Sequence, residues 1–247
     1  MDRRKGRARR RAPEIDRRIE SLVSESGLSR AVATQVALGR IELNDVLKKM
    51  ALAAAVDSLI RKHSLSRALA TQVALGQADL DAVLFKRRLA DHFAGNAQRS
   101  ALQDALDAGD ELALALHGHR DIEARIAKLD RYEFFIEGSD EPIHKLQLKW
   151  CVGAAGKKKA RRAMGWDKAR KAEAQEPIWR PQDRYTCSNR RLFGYLDRET
   201  PVEVRLIEGE ILKGRVAWAG RFEFGLVVKN KIEVTMFRHA LVSLSEP

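Results

Sequence analysis

The run PVEVRLIEGEILKGRVAWAGRFEFGLVVKNKIEVTMFRHALVSL, residues 201–244, alternates apolar and other side chains with a period of two. Val202, Val204 and Leu206 share one face, then Leu212, Val216 and Trp218. Phe222, Phe224 and Leu226 follow, then Ile232, Val234 and Met236, then Leu241. That period belongs to strands with one buried face. Turns are expected at Gly209, Gly220 and Lys229–Asn230, which divides the run into five strands. Five short strands in so few residues make a small, strongly bent barrel. Gly214, inside the second strand, marks a sharp bend in the sheet.

The same plan stands 90 residues upstream. Leu112, Leu114 and Leu116 match the first strand, and Arg125-Ile126 aligns with Arg215-Val216. Tyr132-Glu133-Phe134 aligns with Phe222-Glu223-Phe224, and residues 143–150 supply the last two strands. A polar-apolar helical stretch leads each copy, at 97–108 and 187–196. Residues 97–152 and 184–247 are therefore read as two copies of one fold. The segment 153–183 between them is rich in Lys, Arg and Ala and reads as a basic linker without a packed helix.

Further upstream lies a second, closer repeat. Residues 28–47 and 65–84 are identical at 14 of 20 positions. Their apolar spacing of three and four argues for helices, with Gly39 and Gly76 at the C-terminal caps. Two helix-turn-helix-like units, near 28–50 and 65–89, are expected to stack within a helical module at 15–95, with a linking helix at 51–62. The overall class is α+β and multidomain: an all-α repeat followed by two five-stranded bent barrels, each with a leading helix.

Charge is concentrated in two places. The net charge of the 247-residue chain is +12, of which residues 1–12 carry +6 and residues 153–171 carry +7. Outside these segments the chain is near neutral. Residues 1–14 read as a disordered basic arm. Two cationic segments on a neutral body point to a polyanion, foremost nucleic acid. Arg3, Arg4, Arg9, Arg10, Lys157, Lys158, Lys159, Arg161 and Arg162 are the expected phosphate contacts. Two cysteines exclude a disulfide scaffold, and the apolar runs are too short for a transmembrane helix, so a cytoplasmic protein with no membrane partner is expected. No phosphate-cradling glycine loop, nucleophile triad or paired catalytic carboxylate stands out. An enzyme, a cofactor and a metal site are not expected.

The second β copy resembles the Sm/LSm superfamily, in its bacterial Hfq-like branch. The residues that carry the likeness are Pro201-Val202-Glu203-Val204, Leu206-Ile207-Glu208-Gly209, Leu212-Lys213-Gly214-Arg215 and Phe237-Arg238-His239-Ala240-Leu241. The last run is similar to the family's Tyr-Lys-His-Ala-Ile signature. The likeness implies helix-capped barrels joined edge to edge into rings by their fourth and fifth strands. With two such folds per chain, it implies a homo-oligomer in which three chains could close a six-fold pseudo-ring. It also implies single-stranded, U-rich RNA bound at Phe222, Arg238 and His239 of the second copy. In the first copy the matching residues are Tyr132, Lys145 and Gln98, while Leu146 replaces the signature His. The family's arginine rim becomes Leu196-Asp197-Arg198-Glu199, and its opposite-face site has Arg205 and Glu210 instead of its usual residues, so neither is carried over. The expected role is post-transcriptional regulation or RNA chaperoning. The alternative is a DNA-binding or nucleoid-associated protein that reads duplex through the helical repeats and basic arms, the barrels serving as an oligomerisation scaffold.

Overall fold

The computed structural model describes the backbone of residues 3–229 and 231–247, and the side chains within it from Pro13 onward. The chain forms two compact units, the first ending at Leu84 and the second spanning Phe85–Pro247.

The first unit is helical. It contains α1 (Arg3–Ser26), α2 (Arg30–Ala37), α3 (Leu43–His63) and α4 (Arg67–Ala74), and α5 (Leu80–Gly95) begins in it. The repeat is visible in its caps. Ser29 and Ser66 each accept the backbone N–H three residues on, from Val32 and Leu69. Gly39 and Gly76 then take φ of 68° and 70°, a conformation that only glycine adopts without strain. The two short helices do not share one core. Ala33 and Val36 of α2 pack with Ile19 and Leu22 of α1, and Ala70 of α4 packs with Val56 of α3. Each repeat is thus a short helix laid against long ones. The linking helix expected at 51–62 is part of α3, because the Ala-rich run holds no breaker before Ser64 closes the helix at φ 52°. The N-terminal arm is helical from Arg3 onward and not disordered as expected.

The second unit is built on one antiparallel sheet. The first β repeat comprises α6 (Ala101–Ala108), β1 (Glu111–Leu116), β2 (Arg120–Leu129), β3 (Glu133–Ile136), β4 (Ile143–His144) and β5 (Leu148–Gly153). A connector follows, with α7 (Lys157–Ala163), β6 (Met164–Trp166) and α8 (Lys168–Lys171). The second repeat comprises α9 (Asn189–Asp197), β7 (Pro201–Leu206), β8 (Glu210–Ala219), β9 (Glu223–Val228), β10 (Ile232–Phe237) and β11 (Leu241–Ser245). All the strand runs expected in 201–244 are present. Gly214 is required by close approach, since a Cβ there would lie 2.4 Å from the Val227 carbonyl oxygen.

Two separate barrels were expected, but the strands form one open sheet of eleven. Its order is β11-β7-β8-β9-β10-β5-β1-β2-β3-β4, with β6 added beside β8. Within each repeat the order is fifth, first, second, third, fourth. The repeats join where β10 meets β5, through the pairs Thr235–Cys151 and Met236–Trp150. Two pairs are a short ladder, and side chains crossing it do the rest. Phe237 of the second repeat packs into the first repeat's core with Leu102, Leu114 and Phe134. Ala113, Trp150 and Val152 of the first repeat pack into the second repeat's core with Phe224 and Met236.

The connector is not a loose linker. Ala160 is fully buried, Met164 is buried, and β6 pairs with Glu210, Ile211 and Leu212 of β8. Its cations are partly neutralised on the fold: Lys157 pairs with Glu123 at 2.6 Å, and Arg161 pairs with Asp121 while its guanidinium lies over Trp150. Beneath it, Lys149 is buried against Glu208 and Glu210. Glu208 also accepts the backbone N–H groups of Gly118, His119 and Gln175. Burial would raise the Glu208 pKa, but the hydrogen bonds from Lys149 and the backbone outweigh it and hold the carboxyl below its usual range. Among the described residues no helix is long and apolar enough to cross a membrane.

Candidate nucleic-acid interface

The turn between the second and third strands of each repeat carries the sequence Arg-aromatic-Glu-Phe: Arg131-Tyr132-Glu133-Phe134 and Arg221-Phe222-Glu223-Phe224. The final Phe anchors the turn, since Phe134 and Phe224 are fully buried. The aromatic two positions earlier faces solvent. Tyr132 is 58% exposed and Phe222 67% exposed. Each has an arginine guanidinium 5.1 Å from its ring centroid, Arg131 over Tyr132 and Arg221 over Phe222. An exposed aromatic beside a cation is a surface on which an unpaired base can stack while its phosphate is neutralised.

The basic residues expected beside these aromatics are brought to them. Lys145 N–H donates to the Tyr132 carbonyl at 2.8 Å, and Arg238 N–H donates to the Phe222 carbonyl at 2.9 Å. Their charged ends, however, turn onto the protein. Lys145 Nζ donates to the Asp130 carbonyl at 2.6 Å. Arg238 donates to Asn189 Oδ1 and to the carbonyls of Gly220, Arg221 and Cys187. Both cations therefore fix the turn that presents the aromatic. Truncating Arg238 should strand four acceptors and lower stability.

His239 spans the joint. Its Nε2 lies 2.8 Å from the Leu148 carbonyl oxygen of the first repeat. Burial pushes its pKa down to about 4, so the ring is neutral at physiological pH and offers no charge to a phosphate. Gln98 is exposed, but it precedes α6 instead of lying on it. Of the connector cations, Lys158, Lys159 and Arg162 are exposed and point outward, whereas Lys157 and Arg161 are committed to ion pairs. The side chains of Arg3, Arg4, Arg9 and Arg10 lie outside the described residues, as does Asn230. In the helical unit Arg30 is exposed, and Arg67 pairs with Asp57 at 3.0 Å. His117 and His119, adjacent in sequence to Gly118, are also engaged: His117 Nδ1 with the Gln175 carbonyl and His119 Nδ1 with Glu208.

No family model matches the chain, and no curated protein matches it. The candidate interface therefore stands on its own geometry.

Arg131, Arg221 and Glu223 were not among the residues expected at the site. The arginines had a signal, since each precedes the aromatic in both copies. Glu223 had a weaker one, as it aligns with Glu133. It is 4% exposed, and its Oε1 accepts Ala101 N–H at the start of α6, so the second repeat caps a helix of the first. Its Oε2 has no partner among the described residues. Burial is the main cause that pushes this carboxyl up to about 7, with Ser100 and Ala101 as hydrogen-bond donors and Lys145 opposing and Asp104 assisting the rise. The folded state therefore binds the proton more tightly than the unfolded chain, whose carboxyl titrates near 4.5. Stability should be fully present below that pH and fall as pH rises through about 7. Glu223→Gln should abolish this slope, making the variant more stable than the parent at pH 8 by about 3 kcal/mol and similar to it at pH 4. Urea unfolding at the two pH values measures it, and parallel curves for both proteins would contradict the assignment.

Proposed function

We propose that this chain is a cytoplasmic RNA-binding protein with two tandem Sm-like, Hfq-like repeats, acting in post-transcriptional regulation or RNA chaperoning. The observation that carries the reading is the exposed arginine–aromatic pair repeated at one position of both repeats. The aromatic faces take unpaired bases, and Arg131 and Arg221 neutralise the adjoining phosphates. Lys145 and Arg238 hold the turns in place. Lys158, Lys159 and Arg162 extend the cationic path and speed encounter with RNA.

The strand order supports the Sm-like part of the proposal. Fifth, first, second, third, fourth is repeated twice in one sheet, and the joint pairs the fourth strand of one repeat with the fifth of the other. The likeness implies that joint between neighbours in a ring. The free edges are again a fourth strand, β4, and a fifth strand, β11. Three chains joined head to tail by these edges would close the six-fold pseudo-ring.

Fluorescence anisotropy with oligo-U, oligo-A, mixed single strands and duplex DNA, at several salt concentrations, tests the reading. Preferential binding to oligo-U that persists as salt rises supports it. Equal, steeply salt-dependent binding to every polyanion would reduce the chain to its basic segments, and preference for duplex would favour the DNA-binding alternative.

A further inference from the structure

The connector contributes one large side chain that the fold does not bury. Pro177 is buried and Ile178 half-buried, yet the next residue, Trp179, is 51% exposed. Its backbone is pinned. Arg184 Nε donates to the Ile178 carbonyl at 2.7 Å, and Nη2 donates to the Trp179 carbonyl at 2.6 Å. An indole held on a fixed backbone and turned to solvent serves no core.

Its neighbour is His144 of β4. The two rings meet edge to face, with centroids 5.0 Å apart. The His144 ring lies parallel to Tyr132 within 3°, centroids 6.4 Å apart. His144 is itself fixed, because its Nδ1 accepts Leu146 N–H at 3.0 Å, which leaves the proton on Nε2. Three flat rings, two of them parallel, are therefore ordered before any ligand arrives. The Arg131 guanidinium lies 5.1 Å from the Tyr132 ring centroid, so the rings have a cation at one end. The second repeat lacks this arrangement. There Phe237, the residue before Arg238, is 6% exposed and packs in the first repeat's core.

We propose that Trp179, His144 and Tyr132 form a nucleobase-stacking platform for single-stranded RNA, so that the connector is part of the interface. This rests on the RNA-binding reading and extends it to a site of the first repeat that has no counterpart in the second. Parallel π faces accept any unpaired base, and the guanidinium of Arg131 beside them suits a phosphodiester better than an apolar peptide. Because the rings are already held, little conformational freedom is lost on binding. The Nε2–H of His144 can donate to a carbonyl of uracil or guanine; adenine has none to offer.

Tryptophan fluorescence of the full chain, titrated with oligo-U, tests the platform. Trp150 and Trp218 are buried, and Trp166 is half-buried with Arg161 and Lys171 near its ring, so the part of the quench that disappears in Trp179→Ala belongs to Trp179. Trp179→Ala should abolish most of the quench and weaken oligo-U binding by about tenfold, and Trp179→Phe should retain most of the affinity. His144→Phe should keep the stacking but lessen the preference for oligo-U over oligo-A. Wild-type quench and affinity in Trp179→Ala would overturn the platform while leaving RNA binding intact. Failure of the wild-type chain to bind any single strand would instead overturn the RNA-binding reading, and the platform with it. Quenching by an apolar peptide but not by RNA would assign these rings to a protein partner and also overturn the proposal.

Discussion

Lys149→Met should lower the stability of the protein by about 3–5 kcal/mol and its melting temperature by about 10 °C. The ammonium is buried between two carboxylates that are themselves buried, Glu208 and Glu210. Removing it leaves both without their cation. They are not equally exposed to the loss. Glu208 keeps three backbone donors, from Gly118, His119 and Gln175. Glu210 Oε1 loses its bond from Lys149, and its Oε2 already lacks a hydrogen-bond partner among the described residues. Adding Glu210→Met to Lys149→Met should therefore recover more than half of the loss. Chemical unfolding of the three proteins checks this, and a deficit below about 1 kcal/mol for the single variant would show that the cluster contributes little.

The second large effect concerns binding and leaves the fold untouched. Tyr132→Ala and Phe222→Ala should each weaken oligo-U binding by about tenfold or more, and the double variant by about a hundredfold. Both rings are exposed, so unfolding curves should shift by less than about 0.5 kcal/mol. Arg238→Ala should show the opposite balance, a large loss of stability from its stranded acceptors. Anisotropy and urea unfolding on the same preparations separate the two behaviours. Unchanged affinity in the double variant would remove the aromatic turns from the interface.

The strands were legible because their burial has one period and their turns have marked chemistry. Gly214 was legible as a bend because glycine inside a strand has few other uses. The helical repeats announced their C-terminal caps through Gly39 and Gly76, whereas the N-caps at Ser29 and Ser66 became visible in the structure. The connector was not legible, for a physical reason. Its apolar residues are few, and its cations look solvated until Asp121 and Glu123 are brought against Lys157 and Arg161 by the fold. Lys149, Glu208 and Glu210 were hidden in the same way: pairing across about 60 positions of chain turns surface-type residues into core. At the candidate interface, Phe222 came from the likeness to the Sm/LSm superfamily, and Tyr132 from its alignment with Phe222 between copies. The inward turn of Arg238 and His239 was not, because side-chain direction depends on carbonyls supplied by other segments. Trp179 lay in a segment read as a spacer.

The joint between the repeats has two ladder pairs, and β4, the edge open to another molecule, is also two residues long. Inside the chain the partners are tethered, so each faces the other at an effective concentration in the millimolar range. A second copy arriving at β4 has no tether, no connector folded over the seam, and no counterpart of Lys149, since Val242 occupies that place in β11. Contacts of the same length would thus differ widely in lifetime. Dilution should separate whole chains while each chain's own pair of repeats stays closed, making the chain the piece that enters and leaves any larger assembly.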